Sequence, residues 1–227
     1  AQQFGTGTSN PTYLIYSASD PTRRYVLRRK PPGKLQPTAH QIDREYRVQK
    51  AFERTAVPVP KMYCYCDDKS VCGQDFYVMS LIPGRVLDDK DLLSMTPADR
   101  RSLWLDMADT MAVMHSVDHR AVGLEGYGKV GNYCERQVKT WYRNFQSVDD
   151  VVQRHLRRPL LTERMDDLVG WLQTNMVKTE PTSVVHGDFG LHNVIIANDK
   201  PKVVGIIGER RRRRRRRRRL LLEKLPP

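Results

Sequence analysis

Long apolar runs are missing from this sequence. No window approaches the roughly 18 uninterrupted apolar residues that a bilayer crossing needs, which excludes a membrane-spanning helix. Cysteine is scarce as well. Cys64, Cys66, Cys72 and Cys134 are too few for a disulfide scaffold in a chain of 227 residues, and C-x-C-x5-C is not a zinc spacing. Reduced thiols in an intracellular protein are the expectation. A leader is also missing: the chain begins at Ala1 with no initiator Met, charged n-region or apolar h-region, and it reads as a fragment without a signal peptide.

Excess charge of one sign is missing from most of the chain, although the formal net charge is +13. Residues 209–227 hold ten consecutive arginines (Arg210 to Arg219) and Lys224 against Glu209 and Glu223. The first 208 residues are left with 28 basic against 24 acidic side chains. A phosphate footprint needs cations gathered on one face, so no nucleic-acid partner is expected of the body. The high pI belongs to the tail. Hydrophobic residues make up 39% of the chain, enough for the core of one large domain or two small ones.

The first third reads as strands and turns. Phe4 to Asn10 is a small-residue loop, followed by the β-rich run Thr12 to Tyr16. Asp20-Pro21 marks a turn, and Tyr25 to Arg28 returns as the second strand of a hairpin. After Pro31-Pro32-Gly33 the period becomes helical, from about Thr38 to Arg54, with Ile42, Glu45, Tyr46 and Gln49 on one face. Val57-Pro-Val-Pro60 ends that helix. Met62 to Cys66 and Phe76 to Ser80 read as strands around a polar turn, and Pro83-Gly84 closes the block.

Beyond residue 84 helices dominate. Thr96-Pro97-Ala98-Asp99 starts one, with Leu103, Met107, Met111 and Met114 as its core stripe. Residues 133–146 and 160–176 predict two more, the second with Leu161, Met165, Leu168 and Leu172 along one side. Val194 to Ile196, a turn at 198–201 and Val203 to Ile207 predict a last hairpin. The order is a β-rich lobe with one helix, a connector and a helical lobe. Ligands favour the crevice between such lobes.

The strongest chemical signal is His186-Gly187-Asp188 with Asn193 five residues later. A carboxylate on a tight loop can take the proton of an attacking hydroxyl, and an amide oxygen five residues on can reach a metal beside it. The protein-kinase catalytic loop uses this Asp-x4-Asn spacing for those two tasks. The plainer reading is a polar turn in which both side chains satisfy backbone groups.

H-G-D-F-x-L-x-N, together with S-N-P-T-Y-L, Y-V-L-R-R-K-P-P-G-K-L, D-R-E-Y-R-V, V-P-V-P and F-Y-V-M, resembles the aminoglycoside-phosphotransferase-like kinases. The similarity is to the branch found as the N-terminal kinase domain of acyl-CoA dehydrogenase family members ten and eleven and as stand-alone bacterial proteins. It runs from about Phe4 to Ile207. It implies an α+β, protein-kinase-like two-lobed fold: a β-rich N-lobe (1–82), a helical C-lobe (83–208) and an aberrant tail (209–227). It also implies ATP as phosphoryl donor, Mg2+ as cofactor and a small-molecule hydroxyl as acceptor, specifically a 4-hydroxyacyl-CoA. A fused acyl-CoA dehydrogenase domain is the implied partner. Mitochondrial, peroxisomal and cytoplasmic sites are not distinguished.

Carried over by residue, the resemblance implies Asp188 as catalytic base and Asn193 as metal ligand. Gly5, Gly7, Ser9 and Asn10 fall in the loop over the nucleotide phosphates. Arg28 stands where protein kinases hold a phosphate-pairing Lys, with Lys30 on the same strand face as rival. Glu45 matches the helix acid that pairs with that cation. Ser80 and Leu81, beside Met79, fall at the adenine hinge. His186 is expected as a structural hydrogen-bonder and His115 as a helix-end histidine. His192, where the family often has Asp, receives no role.

The pattern breaks at Gly208, where a second metal-binding Asp is expected, and the helices that complete the acceptor pocket are missing after it. Gly-Glu can be encoded GGT-GAG, which contains a splice-donor consensus. Reading through such a donor would convert the Asp codon and translate intron as the arginine run, leaving the C-lobe truncated. A genuine basic tail, disordered by self-repulsion, is the other explanation. The sequence therefore reads as a truncated small-molecule kinase domain, with a nucleotide-binding pseudokinase or interaction module as the alternative.

Overall fold

The computed structural model describes residues 1–4, 10–32, 41–87, 92–156, 162–176 and 182–207. Gln2–Gln3 (β1), Thr12–Tyr16 (β2), Arg24–Arg29 (β3), Met62–Cys66 (β4) and Phe76–Ser80 (β5) form one antiparallel sheet of order β1-β2-β3-β5-β4. β-Branched and aromatic residues predominate in β2 and β5, as a pleated, half-buried surface favours. Asp20 shapes the turn between β2 and β3 by accepting the Thr22 amide at 3.0 Å. β3 then pairs with β5, Arg28 opposite Tyr77 and Val26 opposite Met79.

One face of the sheet is covered by Ile42–Phe52 (α1). Ile42 joins Val26, Met62, Tyr77 and Met79 in a buried cluster, with Tyr46, Tyr65 and Leu81 packed around it. The expected start near Thr38 falls partly outside the described residues, and the helix begins at Ile42. The polar turn expected between β4 and β5 contains a single helical turn, Lys69–Cys72 (α2). Asp68 caps it by accepting the Ser70 amide at 2.8 Å, and Gly73 ends it with φ +75°.

The helix Pro97–Ser116 (α3) begins as the sequence predicts. Thr96 accepts the Asp99 amide at 3.1 Å and donates to its carboxylate at 2.8 Å. Its buried stripe is Leu103, Met107, Thr110 and Met114. Met111 stands one position off that stripe and is 38% exposed. Leu103 and Met107 meet Leu92, Leu191, Val194, Ile196 and Val203 in a second core. The last five belong to loops and to the hairpin Val194–Ile196 (β6) and Val203–Ile206 (β7). Asp106 of α3 seats that hairpin by accepting the Val203 amide at 2.6 Å.

Backbone hydrogen bonds tie the hairpin to the sheet side. Arg85 and Ile196 exchange N–H···O bonds of 2.9 and 2.8 Å, and the Ile206 amide donates to Pro58 at 2.7 Å. α1 already stops at Phe52, ahead of the Val57-Pro-Val-Pro60 segment expected to end it, and that segment instead presents an acceptor to β7.

By backbone contacts the chain forms two compact units, Ala1–Leu124 with Val184–Pro227, and Glu125–Ser183. The first holds the sheet, α1 to α3 and the β6–β7 hairpin. The second holds Tyr133–Leu156 (α4) and Thr162–Thr174 (α5), where Tyr142 donates to Asp166 at 2.5 Å. α4 runs ten residues past its expected end; Asp149, buried on it, accepts from Gln153 at 2.7 Å. On the apolar side of α5, Leu168 is 48% exposed. No disulfide forms among Cys64, Cys66 and Cys72, and no cluster of three metal-ligating His, Cys, Asp or Glu side chains occurs among the described residues. No helix among them is long and apolar enough to cross a membrane.

Two stability predictions follow from these joints. A Cβ at Gly84 would stand 2.4 Å from Ile195 Cγ2 and 2.7 Å from the Ile196 carbonyl oxygen, which is backbone and cannot step aside. Gly84→Ala should therefore cost about 1–3 kcal/mol in chemical denaturation, while Gly128→Ala, with nothing within 4 Å, should cost far less. The second joint is the ion pair of Lys30, just past β3, with Asp75, just before β5. The Lys30 hydrogen bond holds the Asp75 carboxyl below its ordinary range. A depressed carboxyl stabilises above its unfolded value and loses that contribution as pH falls through the folded one. Lys30→Met should cost roughly 1 kcal/mol at neutral pH. The gap to wild type in urea melts should close below about pH 4.

Candidate active site

The loop from His186 to Asn193 is set by backbone geometry. Gly187 has φ +78°, a left-handed conformation that side chains resist, and it turns the chain between His186 and Asp188. His186 Nδ1 accepts the Asp188 amide at 3.3 Å, and its ring meets Phe189 edge-on at 5.9 Å, a structural arrangement. Leu191 anchors the following 3-10 turn, Leu191–Asn193, in the second core. Asn193 is 1% exposed, and its backbone closes the turn by donating to the Gly190 carbonyl at 2.8 Å.

These restraints bring Asp188 and Asn193 together. Asn193 Nδ2 donates to the Asp188 carbonyl at 2.8 Å and to its carboxylate Oδ2 at 3.2 Å. The amide group is thereby oriented, and Asn193 Oδ1 is engaged by no described residue. His192 Nε2 stands 3.2 Å from the same Asp188 Oδ2. Asp188 Oδ1 meets no donor among the described residues. The result is a partly exposed carboxylate with one oxygen held and one open, beside an amide oxygen that is also open. Such a pair can accept a proton and ligate a hard cation. His192 is the neighbour that the sequence assigned nothing. Its position four residues after Asp188, across a 3-10 turn, was the available signal.

The second cluster lies between β3, α1 and β5. Arg28 Nη2 is 3.1 Å from Glu45 Oε1, with side chains only 9% and 8% exposed. Burial works most strongly against the Arg28 charge, but Glu45 and Tyr77 beside it together outweigh this and hold its pKa above the ordinary value. Arg28 Nε has no hydrogen-bond partner among the described residues. Tyr77, fully buried opposite Arg28, hydrogen-bonds Glu45; burial first, and Glu45 after it, push its hydroxyl well above the usual phenol range. The rival cation Lys30 is turned to Asp75 instead. Between the two candidates, Arg28 is the one that meets the helix acid.

Asn10 is 6% exposed just ahead of β2, and its carbonyl accepts from Thr12 at 3.1 Å. Gly5, Gly7 and Ser9 lie outside the described residues, as do Gly208 and the arginine run. At the end of β5, Met79 is buried and Leu81 packs against the sheet–helix core. The Ser80 amide donates to the Lys61 carbonyl at 2.8 Å, and its hydroxyl accepts the Lys61 amide at 3.0 Å. Both groups are thus committed within the fold. His115 is exposed in the last turn of α3.

Comparison with known proteins accords with this arrangement. Residues 1–208 match the sequence profile of the phosphotransferase enzyme family. A probable acyl-CoA dehydrogenase of Arabidopsis thaliana, IBR3, is 41% identical over 211 residues, covering 90% of this chain and 25% of that protein. Human acyl-CoA dehydrogenase family member 11 is 38% identical over 206 residues, with the same two coverages. The chain thus spans about a quarter of the length of these relatives. Among solved structures, a candidate aminoglycoside phosphotransferase of Ralstonia eutropha JMP134 superposes with a TM-score of 0.74 at 38% identity, covering 91% of this chain and 57% of that one. The streptomycin–ATP ternary complex of APH(2")-IIa shares the fold at a TM-score of 0.58 and 20% identity, covering 91% and 63%. A sheet carrying a buried Arg–Glu pair, followed by an Asp-x4-Asn loop on a β-hairpin, accompanies similarity along nearly the whole described chain: the protein belongs to the phosphotransferase enzyme family.

Proposed function

We propose that this domain carries the site for transfer of the γ-phosphoryl group of ATP to a hydroxyl of a small molecule. One observation supports the reading above the rest. Asp188 is held by Asn193 and His192 through a single carboxylate oxygen, and its other oxygen is open to an acceptor hydroxyl. Asp188 would orient that hydroxyl and take its proton as the oxygen attacks phosphorus. Arg28, kept in place by Glu45, would bind the phosphates through its unspent Nε–H. Gly5, Gly7, Ser9 and Asn10 would line the phosphates from the N-terminal loop. Because the Ser80 N–H is spent on Lys61, the adenine would be met at this hinge by the Ser80 carbonyl and the Leu81 backbone.

The open Asn193 Oδ1 fits a magnesium ion, a hard cation that takes oxygen ligands. When bound, the metal supplies charge neutralisation at the phosphates. Everything else is positioning, which in phosphoryl transfer accounts for most of the rate. ATP as donor is also supported by the nucleotide in the APH(2")-IIa ternary complex. The acyl-CoA dehydrogenase relatives support an acyl-CoA acceptor, a 4-hydroxyacyl-CoA by the resemblance, and a fused dehydrogenase domain as partner.

Gly208 supports a second reading for the chain as written. With glycine at the position expected to hold the second metal ligand, the chain would bind nucleotide without transferring phosphate. Transfer to a 4-hydroxyacyl-CoA should fall far below the roughly 1–100 per second of kinases. A coupled ADP-release assay giving a rate in that range would refute this.

Restoring aspartate (Gly208→Asp) and grafting the C-terminal lobe of a homologue should recover magnesium-dependent turnover. In that protein Asp188→Asn should lower turnover roughly a hundredfold or more while ATP affinity stays within a few fold, since the carboxylate serves the acceptor. Asn193→Ala should instead weaken the metal–nucleotide complex, read by calorimetric titration with and without magnesium. Full turnover by Asp188→Asn would remove this loop from the chemistry.

A further inference from the structure

Tyr77 is, among the described residues, the most completely buried side chain with a polar group that the proposed chemistry leaves unused. It is 0% exposed on β5, between β3 and β4, directly across from Arg28 in the β3–β5 register. Directly opposed residues of an antiparallel pair project to the same face. Phenylalanine would satisfy every apolar contact at that position. A hydroxyl there is unfavourable unless it is hydrogen-bonded, and its partner is Glu45. The ring is gripped by the same helix: Tyr46, next to Glu45 on α1, meets the Tyr77 ring at 6.1 Å, and Tyr65 backs Tyr46 at 5.8 Å. The direction of the hydroxyl is therefore fixed by packing before any ligand arrives.

We infer that Tyr77 is a positioning residue of the nucleotide site, whose hydroxyl fixes the Glu45 carboxylate so that Arg28 stands assembled with an unspent N–H for an anionic ligand. The inference rests on the nucleotide reading above and deepens it. A buried ion pair offsets its desolvation only when further hydrogen bonds satisfy its remaining atoms. Glu45 receives such a bond from Tyr77, whereas Arg28 Nε has no partner among the described residues. A guanidinium about nine-tenths buried with a donor to spare is matched to a phosphate oxygen. Tyr77 also lies three residues before Ser80 on the same strand, so the element that would meet the base also carries the hydroxyl that fixes Glu45, the partner of Arg28.

The test uses the 227-residue chain and Tyr77→Phe, which removes only the hydroxyl. Calorimetry with Mg·ATP and Mg·ADP should show affinity weakened on the order of tenfold, the loss expected of one hydrogen bond to a charged group. The amide spectrum should remain that of a folded chain. In a Glu45→Gln background the same change should cost less than about twofold, because Tyr77 acts through that carboxylate. Independently of nucleotide, the Nε–Hε resonance of Arg28 should shift in Tyr77→Phe. The inference is overturned if affinity stays within about twofold of wild type, if the two substitutions are additive, or if Tyr77→Phe fails to fold. Should the wild-type chain bind neither nucleotide, the functional reading fails, and the Arg28 resonance alone then decides the role of Tyr77: a shift supports it and an unchanged signal overturns it.

Discussion

The buried ion pair between Arg28 and Glu45 is the constraint on which the N-terminal part of this molecule depends. Two charges with under a tenth of their side-chain surface exposed are unfavourable unless each is held by partners. Meeting that requirement joins three elements, since Arg28 comes from β3, Glu45 from α1 and the supporting hydroxyl of Tyr77 from β5. The register of the sheet, the rotation of α1 and the aromatic contacts of Tyr46 all follow from keeping these groups together.

A comparable economy governs the loop from His186 to Asn193. Leu191 is buried in the core beneath α3, and Asn193 is nearly inaccessible. With both ends of the turn anchored, Asp188 has little freedom, and the Asn193 amide, the His192 ring and Gly187 fix what remains. The hairpin carrying this loop is sewn to the sheet side by Arg85, Ile196, Ile206 and Pro58, and Gly84 permits the close approach. In the proposed phosphotransfer, rigidity of this kind is what positioning catalysis requires.

Much of this was legible in the sequence because its signals are local. Short β-rich runs between turn signals located β2, β4 and β5, the Thr96-Pro97-Asp99 start located α3, and Val194 to Ile207 read as a hairpin. The pairing of Glu45 with a strand cation came with the family resemblance, and its place beside Ile42 and Tyr46 on one helix face agrees with a buried carboxylate. Met111 went astray because one helical stripe has two edges, and composition does not say which edge a neighbouring element covers. The extra ten residues of α4 were legible but not read: Val148, Val151, Val152 and Leu156 continue the helical spacing beyond Gln146, although β-branched valines weaken the helix signal.

By itself the sequence determined the order of elements, the family to which the chain belongs, and the pair Asp188 and Asn193 on which the proposed function rests, all of which reside in contiguous residues. Only the tertiary structure decided between Arg28 and Lys30 as partner of Glu45, brought Tyr77 across from Arg28, and placed His192 on Asp188. Those choices depend on a pairing between strands some fifty residues apart, and on which side of a tight turn a side chain emerges. Local periodicity carries no information about either. The strand–strand register and the packing of α1 supply it, because only one arrangement leaves no buried charge without a counterpart.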